Sequence, residues 1–93
     1  MKLQMWCMHD TRSGLYNKPD LFRSDDLALI TIKRSYQSLA NNPDFQNSVS
    51  DFEFLKIGSF DDETGALVPV DKSDDKKVTF DVLESEVVIN GSD

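Results

Sequence analysis

The 93-residue chain has one cysteine, one histidine, three prolines and four glycines, and each scarcity excludes something. The lone Cys7 cannot form an internal disulfide, which removes a stapled secreted scaffold and fits a reducing compartment. Cys7 and His9 stand two residues apart and offer two ligands where zinc takes four, with no further Cys or His to complete the set. Two strand positions apart is roughly 6.5 to 7 Å, too far for a thiol to pass a proton directly to an imidazole. No glycine-rich phosphate loop is present. Long apolar runs are missing too: the stretch from Leu3 to Met8 contains Gln4 and runs into His9 and Asp10. It is neither a signal peptide nor a membrane span, which needs about 20 apolar residues. A soluble, intracellular protein with no membrane partner is expected.

What is present bounds the rest. Ninety-three residues make one domain with one modest core, too short for separate catalytic and substrate domains. The 39% hydrophobic and 10% aromatic fractions suffice to fold it. The net charge of −7 is unevenly spread. Residues 1–43 carry six basic and four acidic side chains, a balance of +2; residues 44–93 carry four basic and thirteen acidic, a balance of −9. The uniformly basic surface of a typical nucleic-acid binder is absent, so DNA affinity has to come from a local patch in the first half.

The pattern Asp-x-x-[Ser/Thr]-Gly occurs twice, as Asp10-Thr11-Arg12-Ser13-Gly14 and as Asp61-Asp62-Glu63-Thr64-Gly65, each time after an apolar run. An Asp that accepts from free backbone N–H groups and a Gly that supplies positive φ predict two tight strand reversals. The first return strand spans Leu15–Lys18 and is closed by Pro19, which cannot donate to a ladder. Ser24 reads as an N-cap, with Asp25 and Asp26 where the helix dipole favours negative charge. Leu29, Ile32, Tyr36, Leu39 and Ala40 recur at helical spacing, so one amphipathic helix is expected to end near Asn41-Asn42-Pro43. Ile30 falls on the side that ought to be wet.

The expected architecture is α+β, β-β-α-β-β: two β-hairpins form a four-stranded antiparallel sheet with one helix on a face, and a C-terminal strand is a candidate addition. Residues 1–70 form the domain, 71–77 a charged linker, and 78–93 an acidic tail whose β-prone segments (Val78–Val82 and Val87-Val88-Ile89) can add or exchange a strand. Alternation sends Leu3, Met5 and Cys7 to one face and Gln4, Trp6 and Met8 to the other; in the second long strand it sends Phe52, Phe54 and Phe60 one way, and Leu55 and Ile57 the other. One helix covers one face only. The tail, a second copy or a ligand that stacks on aromatics is left to use the other.

No catalytic constellation emerges, so no enzyme activity, metal or cofactor is expected. The acids Asp61-Asp62-Glu63 lack the alternating ligand spacing of an EF-hand loop and are explained by turn chemistry. Single-stranded nucleic-acid binding needs only aromatics on a sheet with cations nearby, and Lys2, Trp6, Arg12, Tyr16, Lys18, Lys33 and Arg34 are the candidate residues.

The segments Met1–Pro19 and Asp51–Gly65 together resemble the small non-structural protein of gokushovirus-type microviruses, which are single-stranded DNA bacteriophages. In that family a Met-Lys strand runs into an Asp turn and an aromatic-x-x-Pro stretch. A helix follows, then an Asp-aromatic strand ending Gly-x-aromatic-Asp-Asp/Glu-x-Thr-Gly. The likeness covers roughly residues 1–70 and departs at Asp20, where the family usually has an aromatic. It implies a non-structural accessory protein in the host cytoplasm that supports viral single-stranded DNA replication, either by binding that DNA or by binding a viral or host replication protein. The alternative is an interaction module or homodimer without direct DNA contact.

Overall fold

The computed structural model describes residues 1–70 and 76–81. Two long antiparallel strands, β1 (Lys2–Asp10) and β4 (Phe52–Asp61), form the spine of the sheet. Each is flanked on its outer edge by two short strands. β2 (Leu15–Tyr16) and β3 (Asp20–Phe22) lie against β1, while β5 (Leu67–Pro69) and β6 (Lys76–Val78) lie against β4. The helix α1 (Asp25–Ala40), the one α-helix among the described residues, crosses one face, and a short 3-10 turn, Val49–Asp51, leads into β4. This is the expected α+β arrangement; an extra strand, β6, does join the sheet, but it shares only Val78 with the expected Val78–Val82 segment.

The two repeated turns are built alike. Gly14 and Gly65 have φ of 77° and 76°. Their N–H groups donate to Asp10 O and Asp61 O at 2.8 and 2.7 Å. The Asp10 carboxylate accepts from Arg12 N at 3.0 Å, and the Asp61 carboxylate from Glu63 N at 2.9 Å. Ser13 and Thr64 hydroxyls accept from Leu15 N and Ala66 N, both at 3.2 Å. Those backbone N–H bonds hold the Asp10 and Asp61 carboxyls below the ordinary carboxylate value.

Three details differ from the sequence reading. After Pro19 the chain pairs with β1 again as β3, so the first arm contains a strand that the short motif Asp20-Leu21-Phe22 did not announce. A bulge lies in β4 at Ile57, since Met5 faces Gly58 while Trp6 faces Lys56. One extra residue inverts the alternation beyond it. Phe60 therefore sits opposite Leu3, on the face of Met5 and Cys7, and not with Phe52 and Phe54. Finally, Lys76 and Lys77 belong to β6; residues 71–75 of the expected linker and 82–93 of the tail lie outside the described residues.

Ser24 caps the helix by accepting from Leu27 N at 3.2 Å, as expected. The buried stripe is Ala28, Ile32 and Tyr36, flanked by Leu29 and Leu39, and it packs on Trp6, Val49, Phe52 and Phe54. Ala28 was not among the expected core positions. Its small side chain is fully buried against the sheet. The Tyr36 hydroxyl reaches two backbone carbonyls, Phe52 O at 2.6 Å and Val78 O at 3.1 Å, and its ring meets Phe54 and Phe80. Burial, with a smaller contribution from the charge of Glu53, pushes its phenol well above the ordinary value.

Candidate nucleic-acid interface

Cross-strand partners share a face, so the register sorts the side chains of the sheet. The helix covers the face of Trp6, Met8, Phe22, Phe52, Phe54 and Lys56. Its central polar groups are paired within the fold. Trp6 Nε1 donates to Asp25 Oδ1 at 3.2 Å and Lys56 Nζ to Asp25 Oδ2 at 2.9 Å, tying the first turn of α1 to both long strands. Trp6 is only 2% exposed. Its ring is core and offers no stacking face to a base, which corrects the role the sequence suggested for it.

Among the described residues no helix lies over the opposite face. At one end a polar row runs across three strands. Tyr16 stacks on His9 with ring centroids 4.2 Å apart and planes 13° from parallel. His9 Nδ1 lies 3.1 Å from Glu53 Oε1, and because a carboxylate only accepts, this nitrogen carries the proton. Lys77 Nζ approaches the other Glu53 oxygen at 3.5 Å. Tyr16 remains 59% exposed, so the outer face of its ring is free. The other end is apolar, with Leu3, Met5, Leu21, Leu55, Phe60 and Leu67, of which Leu21 and Leu67 are the most exposed. Cys7 shares this face but is buried, and burial raises its thiol above the ordinary value. His9 engages Tyr16 and Glu53, not Cys7. Among the described residues no group of three or more His, Cys, Asp or Glu side chains can hold a metal ion. No helix among them is long and apolar enough to cross a membrane.

The basic candidates are dispersed. Lys2 and Arg12 lie at opposite ends of β1, whose length from Lys2 to Asp10 is roughly 26 Å. Arg12 is exposed in the first turn, 3.8 Å from Asp51. Lys33 and Arg34 are consecutive on α1, on the far side of the sheet from Tyr16, and point about 100° apart. Only Arg12, Tyr16 and Lys18 share one short, fully exposed segment. His9 and Lys77 were missed as members of the row. The signal for His9 lay in the antiparallel register across the first turn, which sets it opposite Tyr16. No local signal marks Lys77, because its place depends on β6.

A groove of about 370 Å³ opens where the chain leaves β2 and rejoins β1 as β3. Trp6, Met8, Phe22, Ile32 and Phe54 contribute its apolar floor. Asn17, Lys18 and Asp20 line one wall; Thr31, Ser35 and Ser38, on one flank of α1, line the other.

All of these elements fall within a match to the model of the phage ORF5 protein family, which spans residues 3–84. The chain belongs to the phage ORF5 protein family. It is therefore a phage protein, of accessory type, and the ORF5 family is not a known enzyme family. The match runs beyond residue 70 to include β6 and Phe80, in keeping with their packing against Tyr36. No curated protein and no solved structure matches this ORF5-family chain.

Proposed function

We propose that this ORF5-family chain is a non-enzymatic accessory protein that supports viral single-stranded DNA replication in the host cytoplasm. It does so by holding single-stranded DNA on the sheet face that the helix leaves open. The observation that carries this reading is the exposed Tyr16 ring, stiffened from behind by His9 and set on a segment that also bears Arg12 and Lys18. A pre-stacked aromatic loses little freedom when a base lands on it, and such stacking is worth about 1–3 kcal/mol per base without demanding a sequence. The likeness to the gokushovirus non-structural protein supplies the replication context.

Titration with labelled oligodeoxythymidylate at low and moderate salt tests it. Binding should weaken with salt in proportion to the few cations engaged. Tyr16→Ala should reduce affinity about tenfold, since about 1.4 kcal/mol is one decade. Unchanged affinity in Tyr16→Ala removes this face from DNA contact.

The apolar end of the same face favours a second reading, in which Leu3, Met5, Leu21, Phe60 and Leu67 meet another protein: a replication protein or a second copy of the chain. A chain that sediments as a dimer, and whose dimer is broken by Leu67→Glu, supports that reading.

A further inference from the structure

The groove beside α1 shares only Lys18 with the strand-binding reading, and its lining has a chemistry of its own. Four polar side chains that face it, Asn17, Lys18, Thr31 and Ser38, make no side-chain hydrogen bond or ion pair to any described residue. All four are exposed and stand at the walls of a floor of aromatic and aliphatic groups. Pockets that hold small ligands run from about 300 to 1,000 Å³ and combine an apolar lining with a few placed polar groups, so a 370 Å³ groove suits one small molecule. A purely apolar occupant would displace water from the polar groups without replacing its hydrogen bonds, and a purely polar one would leave the floor wet.

We infer that the groove binds a single nucleotide. The planar base lies on the floor near Phe22 and Phe54. Its edge meets the Thr31 and Ser38 hydroxyls on one wall and Asn17 and Asp20 on the other. The phosphate lies towards Lys18, a cation with no acidic partner among the described residues. Asp20 only accepts, so the wall it lines suits a base edge that carries an amino group, such as that of cytosine. The nucleotide comes either free or as one base extruded from a bound strand. This second source rests on the strand-binding reading; the first does not.

The test titrates deoxycytidine monophosphate into the protein while Trp6 emission is followed, because the buried Trp6 borders the groove beside Phe22 and Phe54. Saturable quenching is expected. Ser38→Leu fills the groove from an exposed helix position and should lower affinity at least about tenfold, and Lys18→Glu about fivefold, as expected for loss of one charge-assisted contact. Circular dichroism and urea midpoints should show both variants folded. A deoxycytidine arm without phosphate, bound more weakly than the monophosphate and insensitive to Lys18→Glu, assigns Lys18 to the phosphate. Absence of quenching, or quenching that Ser38→Leu leaves unchanged, overturns the groove. Oligodeoxythymidylate separates the readings: strand binding lost in Tyr16→Ala but kept in Ser38→Leu upholds the sheet face whatever the groove does. Monophosphate binding without strand binding upholds the groove and refutes the sheet face.

Discussion

The two faces of this sheet are made from the same two strands, yet they spend their polar groups differently. On the covered face the buried polar groups are tied inward: Trp6 and Lys56 to Asp25, and the Tyr36 hydroxyl to the carbonyls of Phe52 and Val78. On the open face the polar row of Tyr16, His9, Glu53 and Lys77 is paired sideways, along the surface, and one ring face is left to solvent. Inward pairing fixes where the helix sits. Sideways pairing fixes the shape of a surface without filling it, which is what a binding face requires.

Matched truncations should break the two faces unequally. Tyr36→Ala removes a fully buried ring and a double carbonyl contact, and should cost about 3–5 kcal/mol in urea unfolding. Asp25→Ala leaves the Trp6 indole N–H and the mostly buried Lys56 ammonium without that partner, and should cost about 1–3 kcal/mol. Gly14→Ala and Gly65→Ala force a Cβ into the left-handed region at otherwise open sites, and should each cost about 1 kcal/mol. Leu21→Ser and Leu67→Ser on the open face should change monomer stability by no more than about 0.5 kcal/mol. A larger loss for those two, dependent on protein concentration, would show that the apolar end is buried against a second copy.

The pH limbs sharpen the same contrast. The Tyr36 phenol is raised above its ordinary value of 10.0, so the folded state keeps a proton that the unfolded chain gives up. Its contribution is complete below about pH 10 and declines as pH rises further; Tyr36→Phe should flatten that alkaline decline. Asp10 and Asp61 are lowered from 3.8, so their contribution is present above that value and lost as pH falls through the lowered range. Asp10→Asn and Asp61→Asn should each flatten the acid limb of urea midpoints, by similar amounts if the two turns are as alike in energy as in geometry.

How much of this was written locally explains what could be read from it. The turns, the Ser24 cap and the division of β1 into Leu3-Met5-Cys7 and Gln4-Trp6-Met8 faces depend on residues within a few positions of each other, and each is found as expected. Phe60 was misplaced because a bulge is a property of two paired strands, and β4 alone carries no mark of it except Gly58 beside Ile57. Trp6 looked like a stacking residue because alternation names two faces without saying which one the helix takes. That choice is made by Asp25 and Lys56, which are distant in sequence and meet only after folding. The groove was invisible for a similar reason: it is a gap left by the step between β2 and β3, lined by residues from segments far apart in the chain.

The bond from Tyr36 to Val78 has a consequence for synthesis. The helix is complete by residue 40 and both long strands by residue 61, but the centre of the core waits for Val78 and Phe80. A nascent chain that has reached only Val70 has Phe52 and Phe54 against the Tyr36 ring but lacks the contacts of that ring with Val78 and Phe80. Made vectorially on the ribosome, the protein adds these contacts only after both long strands have emerged, so a premature stop soon after the second turn yields a sheet and helix with that part of the core missing.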